Sequence, residues 1–144
     1  MLNVIVTNGT AETYVLRELA PYIDAVNIDL KGFSDRYYYE VLGGCREMVM
    51  SFIEEAVRCC HVELTTLIVP GENDSEEEIR EMTAWIAGLK SGSGRKIGSE
   101  IPLHISRFFP RFHMKDRAAT DVRKIYRLAD IAREQLKYVY TGNC

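Results

Sequence analysis

The chain has 144 residues, 47% of them apolar and 10% aromatic, with a formal net charge of −3; this is enough apolar material for a buried core, so intrinsic disorder is excluded and residues 1–144 are expected to form one domain. Uncharged apolar stretches such as Leu64 to Pro70 fall far short of the roughly 20 residues of a membrane span, and Met1 opens on a strand-like run rather than a signal peptide, so a cytoplasmic protein without a membrane partner is expected. Charge is uneven: residues 1–106 carry 17 acidic and 9 basic side chains and residues 107–144 carry 4 and 9, but no aromatics are interleaved among the basic residues, which argues against a nucleic-acid partner and for a solvated helix face on Arg123, Lys124, Arg127 and Arg133.

In chain order, Leu2 to Val6 reads as a first strand, closed by the turn signal Asn8-Gly9. Thr10 is then placed to cap a helix with Leu16, Leu19 and Ala20 on one face, stopped near Pro21. Ala25 to Leu30 is a second strand, broken by Gly32. Ser34 starts a short helix with Tyr37, Tyr38 and Val41, and a longer helix runs from about Arg46 to Arg58. Tyr37 to Tyr39 cannot share one face, so some are core and some surface. Val62 to Val69 is a third strand ending at Pro70-Gly71. Ser75 and Glu78 form an S-x-x-E capping box for a helix reaching about Leu89, its first turn made acidic by Glu76 and Glu77 in agreement with the helix dipole. Ser91 to Ser99 reads as a flexible loop, Pro102 to Arg107 as a fourth strand, Thr120 to Gln135 as a helix with Ile125, Leu128 and Ile131 on its core side, and Tyr138 to Thr141 as a last strand.

Apolar strands joined by helical crossovers imply a parallel α/β sheet, either open and doubly wound or an arc of a barrel. Ligands of such sheets bind at the carboxyl ends of the strands, which are unusually polar here. Thr7 and Asn8 leave the first strand. Asn27, Asp29 and Lys31 follow one another at spacing two on the second, so their side chains share a face, and Asp29 with Lys31 makes either a site for a zwitterionic ligand or a structural ion pair. Thr65 and Thr66 lie on the third strand. His104 on the fourth is expected to be a satisfied interior histidine. Arg107, beside Phe108 and Phe109, can grip a carboxylate bidentately. Asn73, Asp74 and Ser75 are accounted for by helix capping.

Taken together, V-T-N-G (6–9), A-V-N-I-D-L-K-G-F (25–33), E-L-T-T-L-I-V-P-G-E-N-D (63–74), I-P-L-H-I-S-R-F-F-P (101–110) and K-Y-V-Y-T-G-N (137–143) resemble the latter part of radical S-adenosylmethionine enzymes. The likeness is to the pyruvate-formate-lyase-activating-enzyme-like group, and most closely to the radical SAM component of the AmmeMemoRadiSam system. The resemblance implies a parallel β/α partial TIM-like barrel of about five strands, without the first two β/α units. It also implies S-adenosylmethionine and a [4Fe-4S] cluster in the intact enzyme, which together generate a 5'-deoxyadenosyl radical that abstracts a hydrogen atom, in the activating enzymes from a glycine of a protein substrate. By motif, Thr7 and Asn8 would line the S-adenosylmethionine site, Asp29 and Lys31 would lie near its methionyl part or the substrate, Leu67 to Val69 would flank the adenine, and Arg107 would face the cofactor.

The cluster of these enzymes is held by C-x3-C-x2-C, and Cys45, Cys59, Cys60 and Cys144 have neither this spacing nor that of a disulfide framework. The expectation is therefore that the cluster ligands would lie before Met1, that this chain alone carries no cluster and is inactive, and that it is the C-terminal part of a radical SAM enzyme. The alternatives are a non-catalytic ligand-binding or assembly module built on a half-barrel, and an unrelated β/α enzyme using Asp29 and Lys31. With two barrel strands absent, Leu2 to Val6 would be an exposed apolar edge, predicting a homo-oligomer through that edge or the opened interior.

Overall fold

The computed structural model describes all residues, Met1–Cys144. Strands β1 (Val4–Thr7), β2 (Ala25–Asp29), β3 (His61–Ile68), β4 (Leu103–Arg107) and β5 (Val139–Gly142) alternate with helices α1 (Thr13–Leu19), α2 (Arg46–Cys59), α3 (Glu76–Ala87) and α4 (Val122–Arg133). All neighbouring strands are parallel and their order in the sheet is the order in the chain.

That order decides between the two architectures. Every crossover steps one strand in the same direction, and crossovers of one hand then put all helices on one face, whereas a doubly wound sheet needs a reversal. Burial agrees. Val26, Ile28, Val62, Leu64, Ile68, Leu103 and Ile105 pack with Leu16, Val49, Ile53, Ile79, Met82, Ile125 and Leu128 into one core, while the alternate residues Val4, Val6, Asn27, Asp29, Glu63, Thr65 and Leu67 stay partly or fully exposed. The result is an arc of a β/α barrel with its concave face open.

Several boundaries differ from the sequence reading for identifiable reasons. Thr10 does not cap α1; its hydroxyl and amide both bond to the Asn8 side chain, and the helix starts at Thr13 without a side-chain cap. Ser34 does receive the Tyr37 amide at 3.2 Å, but the segment it opens, Tyr37–Val41, is a π-helical turn that buries Tyr37 and Tyr38 and exposes Tyr39. Ser75 caps α3 by accepting from the Glu78 amide at 3.1 Å. Glu78 does not return the bond to Ser75, because its carboxylate takes the Phe33 amide at 2.6 Å instead. Half of the capping box is thus spent on joining α3 to the loop after β2. The last helix, expected over Thr120 to Gln135, runs over Val122–Arg133 with Asp121 as its cap. The segment expected to be flexible, Ser91 to Ser99, is closed by hydrogen bonds from the Ser91 amide to the Arg95 carbonyl and from the Gly94 amide to the Ser91 carbonyl, and pinned at Gly98, where a Cβ would fall 1.8 Å from the Ile86 carbonyl oxygen.

Candidate functional site

The open face of the sheet carries one continuous polar row. Register places Asp29 beside Thr65, Thr65 beside His104 and His104 beside Tyr140, so a carboxylate, a hydroxyl, an imidazole and a phenol lie side by side across four strands. At the usual strand spacing the row is about 14 Å long. Asn27 and Glu63 form the row below it. Diagonal bonds tie the rows together: Thr65 Oγ1 donates to Asn27 Oδ1 at 3.0 Å, and His104 Nε2 lies 2.7 Å from Glu63 Oε2. The hydrogen bond from His104 is the main cause holding the Glu63 carboxyl below the usual carboxylate range. An ionised carboxylate only accepts, so Nε2 carries the proton. His61 Nε2 stands 3.4 Å from the other Glu63 oxygen, and the His104 ring stacks on Tyr140 with centroids 5.3 Å apart.

Lys31 closes the row at the exit of β2, with Nζ 2.8 Å from Asp29 Oδ2. Both side chains are about one-third exposed, so the pair is partly solvated and its net contribution to stability is on the order of 0–1 kcal/mol. The Lys31 amide donates to the Tyr38 hydroxyl, whose pKa burial pushes up to about 12, so it remains a phenol. Asn8, Thr10, Lys31, Tyr38, Leu42 and Gly44 line a cavity of about 90 Å³ beside the ion pair. Gly32 is required there, because a Cβ would come within 2.7 Å of the Tyr37 ring.

Above the row, the strand-exit loops are fastened to one another by buried polar groups. Asn73 is fully buried; its amide donates to the carbonyls of Lys31 and Leu67 at 2.5 and 2.8 Å, and its Oδ1 accepts from the Val69 amide at 2.7 Å. It therefore clamps the exit of β2 to that of β3. Thr120 performs the corresponding task between β3 and β4, donating to the Ile68 carbonyl at 2.6 Å and accepting from the Phe108 amide at 3.3 Å. Glu72, 9% exposed, receives Arg36 at 3.1 Å and Arg117 at 2.6 Å. The Arg117 hydrogen bond is the main cause holding its carboxyl below the usual range.

Of the residues singled out from sequence, Asn8, Asp29, Lys31 and Leu67 are brought to the open face or its rim. Thr7 is not: it shares the helix-covered side with its register partner Ile28, and its hydroxyl accepts from the Gly9 amide at 3.1 Å. Val69 is buried and held by Asn73. Arg107 leaves β4 on the side of Leu103 and Ile105, donates to the Thr120 carbonyl at 2.7 Å and lies 4.6 Å over the Phe109 ring. Its guanidinium is committed to the chain rather than offered along the row. Sequence reasoning passed over Glu63 and Tyr140 and took His104 for an ordinary interior residue. The signal was the alternation itself, since Glu63 has the parity of Thr65 and His104 that of Ser106, but only the strand register shows that they meet.

A [4Fe-4S] cluster needs converging thiolates. Cys45 stands at the start of α2, Cys59 and Cys60 at its end and Cys144 at the end of the chain, and no three His, Cys, Asp or Glu side chains are grouped to hold a metal ion. The residues of this chain do not fit the cluster. No helix is long and apolar enough to cross a membrane.

Comparison with known proteins supports the assignment of the fold. A domain of a pyruvate-formate lyase-activating enzyme from Bacteroides vulgatus superposes with a TM-score of 0.81 over 99% of this chain and 82% of that one, at 13% identity. A radical SAM methyltransferase from Sphaerobacter thermophilus superposes with a TM-score of 0.63 over 95% of this chain and 39% of that one, at 14% identity. An uncharacterized protein of Methanocaldococcus jannaschii is 35% identical over 99% of this chain, which spans 40% of the length of that relative. The radical SAM superfamily matches residues 2–83, and the chain belongs to that superfamily.

Proposed function

We propose that this chain is the C-terminal part of a radical S-adenosylmethionine enzyme resembling glycyl-radical activating enzymes, and that it supplies the floor on which S-adenosylmethionine and a protein substrate meet. The observation that carries this reading is the polar row on the open face with the Asp29–Lys31 pair at its exit. A carboxylate and an ammonium 2.8 Å apart complement the amino and carboxylate groups of a methionyl moiety, and the exposed Leu67 side chain offers an apolar flank for a base. Asn8, Asp29, Lys31 and Leu67 would hold the cofactor directly; Thr7, Val69 and Arg107 would shape its surroundings through the backbone they fix. In the intact parent, S-adenosylmethionine together with a cluster held outside this chain would supply hydrogen abstraction. A second reading, a non-catalytic ligand-binding or assembly module, is favoured by the scattered cysteines.

Calorimetric titration of the 144-residue chain with S-adenosylmethionine, before and after anaerobic treatment with iron and sulfide, tests the proposal. Expected are binding that Asp29→Asn and Lys31→Met each weaken about tenfold, which corresponds to about 1.4 kcal/mol, and no stoichiometric cluster. Absence of binding overturns the cofactor assignment, and a stoichiometric cluster overturns the claim that its ligands lie elsewhere.

A further inference from the structure

Glu63 is an unusual residue for its place. A charged side chain in the middle of a parallel strand has low strand propensity, and this one lies on the concave face, away from the exposed helix surface where charge serves solubility. Its carboxylate is aimed along the sheet at His104, 2.7 Å from Nε2, with His61 at 3.4 Å on the other oxygen. The pair is not needed to join its strands: β3 and β4 already share a five-residue register from Leu64–Leu103 to Ile68–Arg107, and one partly exposed hydrogen bond adds only about 1 kcal/mol. What the contact does fix is orientation. Glu63 holds the Nε2 edge of the imidazole while Tyr140 stacks on its face at 5.3 Å and 27°. The other ring nitrogen, Nδ1, has no partner within the chain, and His104 is in the same row as Asp29 and Thr65.

From this geometry we infer that Glu63 is a positioning residue that locks His104 with its proton on Nε2, so that the Nδ1 lone pair meets a hydrogen-bond donor, a hydroxyl or amino group, of the ligand lying along the row. The ligand class is a nucleoside-sized molecule with such donors at the end remote from the Asp29–Lys31 pair. The arrangement is that of a second group setting the tautomer and plane of a contact histidine. It rests on the preceding reading that the open face takes S-adenosylmethionine.

The test is a double-mutant cycle read by calorimetry on the full chain, with S-adenosylmethionine and S-adenosylhomocysteine, which keeps the amino and carboxylate groups but lacks the sulfonium charge, as probes. Glu63→Ala and His104→Ala are each expected to weaken both probes about tenfold, Glu63→Gln, which keeps an acceptor, to stay within about threefold of the parent chain, and the double variant to be no weaker than His104→Ala alone. Thermal melts establish that each variant is folded. Long-range proton–nitrogen NMR of the imidazole is expected to show the Nε2–H form in the parent chain and in Glu63→Gln, and a mixture in Glu63→Ala. Additive losses, an effect on the cationic probe only, or an Nδ1–H pattern in the parent chain overturns the inference while leaving the preceding reading intact. Failure of the parent chain to bind either probe overturns both.

Discussion

The Thr66 hydroxyl is fully buried on the helix side of β3 and has no hydrogen-bond partner. A desolvated donor that recovers nothing costs free energy, and an apolar group of the same shape removes the cost. Thr66→Val is accordingly expected to raise the stability of the chain by about 1 kcal/mol in urea unfolding, and a loss of stability would show that the hydroxyl has a partner after all. Glu78 poses the opposite problem: it accepts the Phe33 amide at 2.6 Å, yet burial raises its pKa above the ordinary range. The folded chain then holds this proton more tightly than the unfolded chain, so stability falls as pH rises from about 4.3, the unfolded value, through the raised folded value. Glu78→Gln keeps an oxygen for Phe33 without the buried charge. Its stability relative to the parent chain is therefore expected to improve between pH 4 and pH 7, in melts recorded at both. At this scale the sequence was informative within one strand and silent between strands. The spacing of Asp29 and Lys31 sufficed to pair them, whereas Glu63, His104 and Tyr140 meet through a register that no local pattern encodes.

At the scale of elements, the helices follow from apolar periodicity and the strands from β-branched runs, and their limits move by only a few residues. Less legible was the use made of the connecting segments. Val69 to Ser75 contains turn and capping chemistry, and the sequence reading of Asn73 as a capping residue is corrected by the structure: Ser75 is the cap, and no local pattern marks Asn73 as a clamp. Its full burial, with three hydrogen bonds to the exits of two strands, decides for the clamp. Removing it orphans two carbonyls and an amide in a dry setting, so Asn73→Ala is expected to cost about 3 kcal/mol and to loosen hydrogen exchange at Lys31 and Val69 together. Glu72 beside it ties the loop after β2, through Arg36, to the loop after β4, through Arg117. Its pKa is lowered chiefly by Arg117, so the stabilisation it gives is present above the unfolded value of about 4.3 and is lost as pH falls from there through the folded value. Glu72→Gln should then flatten the acid limb of the stability profile between pH 5 and pH 3 while costing about 1 kcal/mol at pH 7. An unchanged acid limb would show that the two arginines do not grip this carboxylate in solution.

The whole molecule explains the charge asymmetry that opened the sequence reading. The basic last quarter of the chain is not an isolated patch: Arg117, Lys124 and Arg127 pair with Glu72, Asp74 and Glu76, so three of its nine basic side chains are met by acids around the start of α3. The fold also leaves apolar surface unmet. β1 is an edge strand whose outer backbone groups have no partner in the sheet, and Leu2, Val4 and Val6 are 78%, 62% and 75% exposed. Val4 and Val6 have the parity of Ala25 and Asn27, so they extend the open face with hydrocarbon at the border where the polar row stops. An unprotected edge with a β-branched surface is a template for pairing, and a second copy of this chain offers the same edge. Self-association is therefore expected in sedimentation velocity at micromolar concentration. The double substitution Val4→Lys with Val6→Lys should return the chain to monomer, because charges on an edge repel a like partner. Both side chains are exposed, so the change should move folding stability by no more than about 0.5 kcal/mol per site, and a shift in mass would report the interface rather than unfolding. A parent chain that stays monomeric over the same range would show that the edge is left unpaired, and association unaffected by the two lysines would move the contact to another surface.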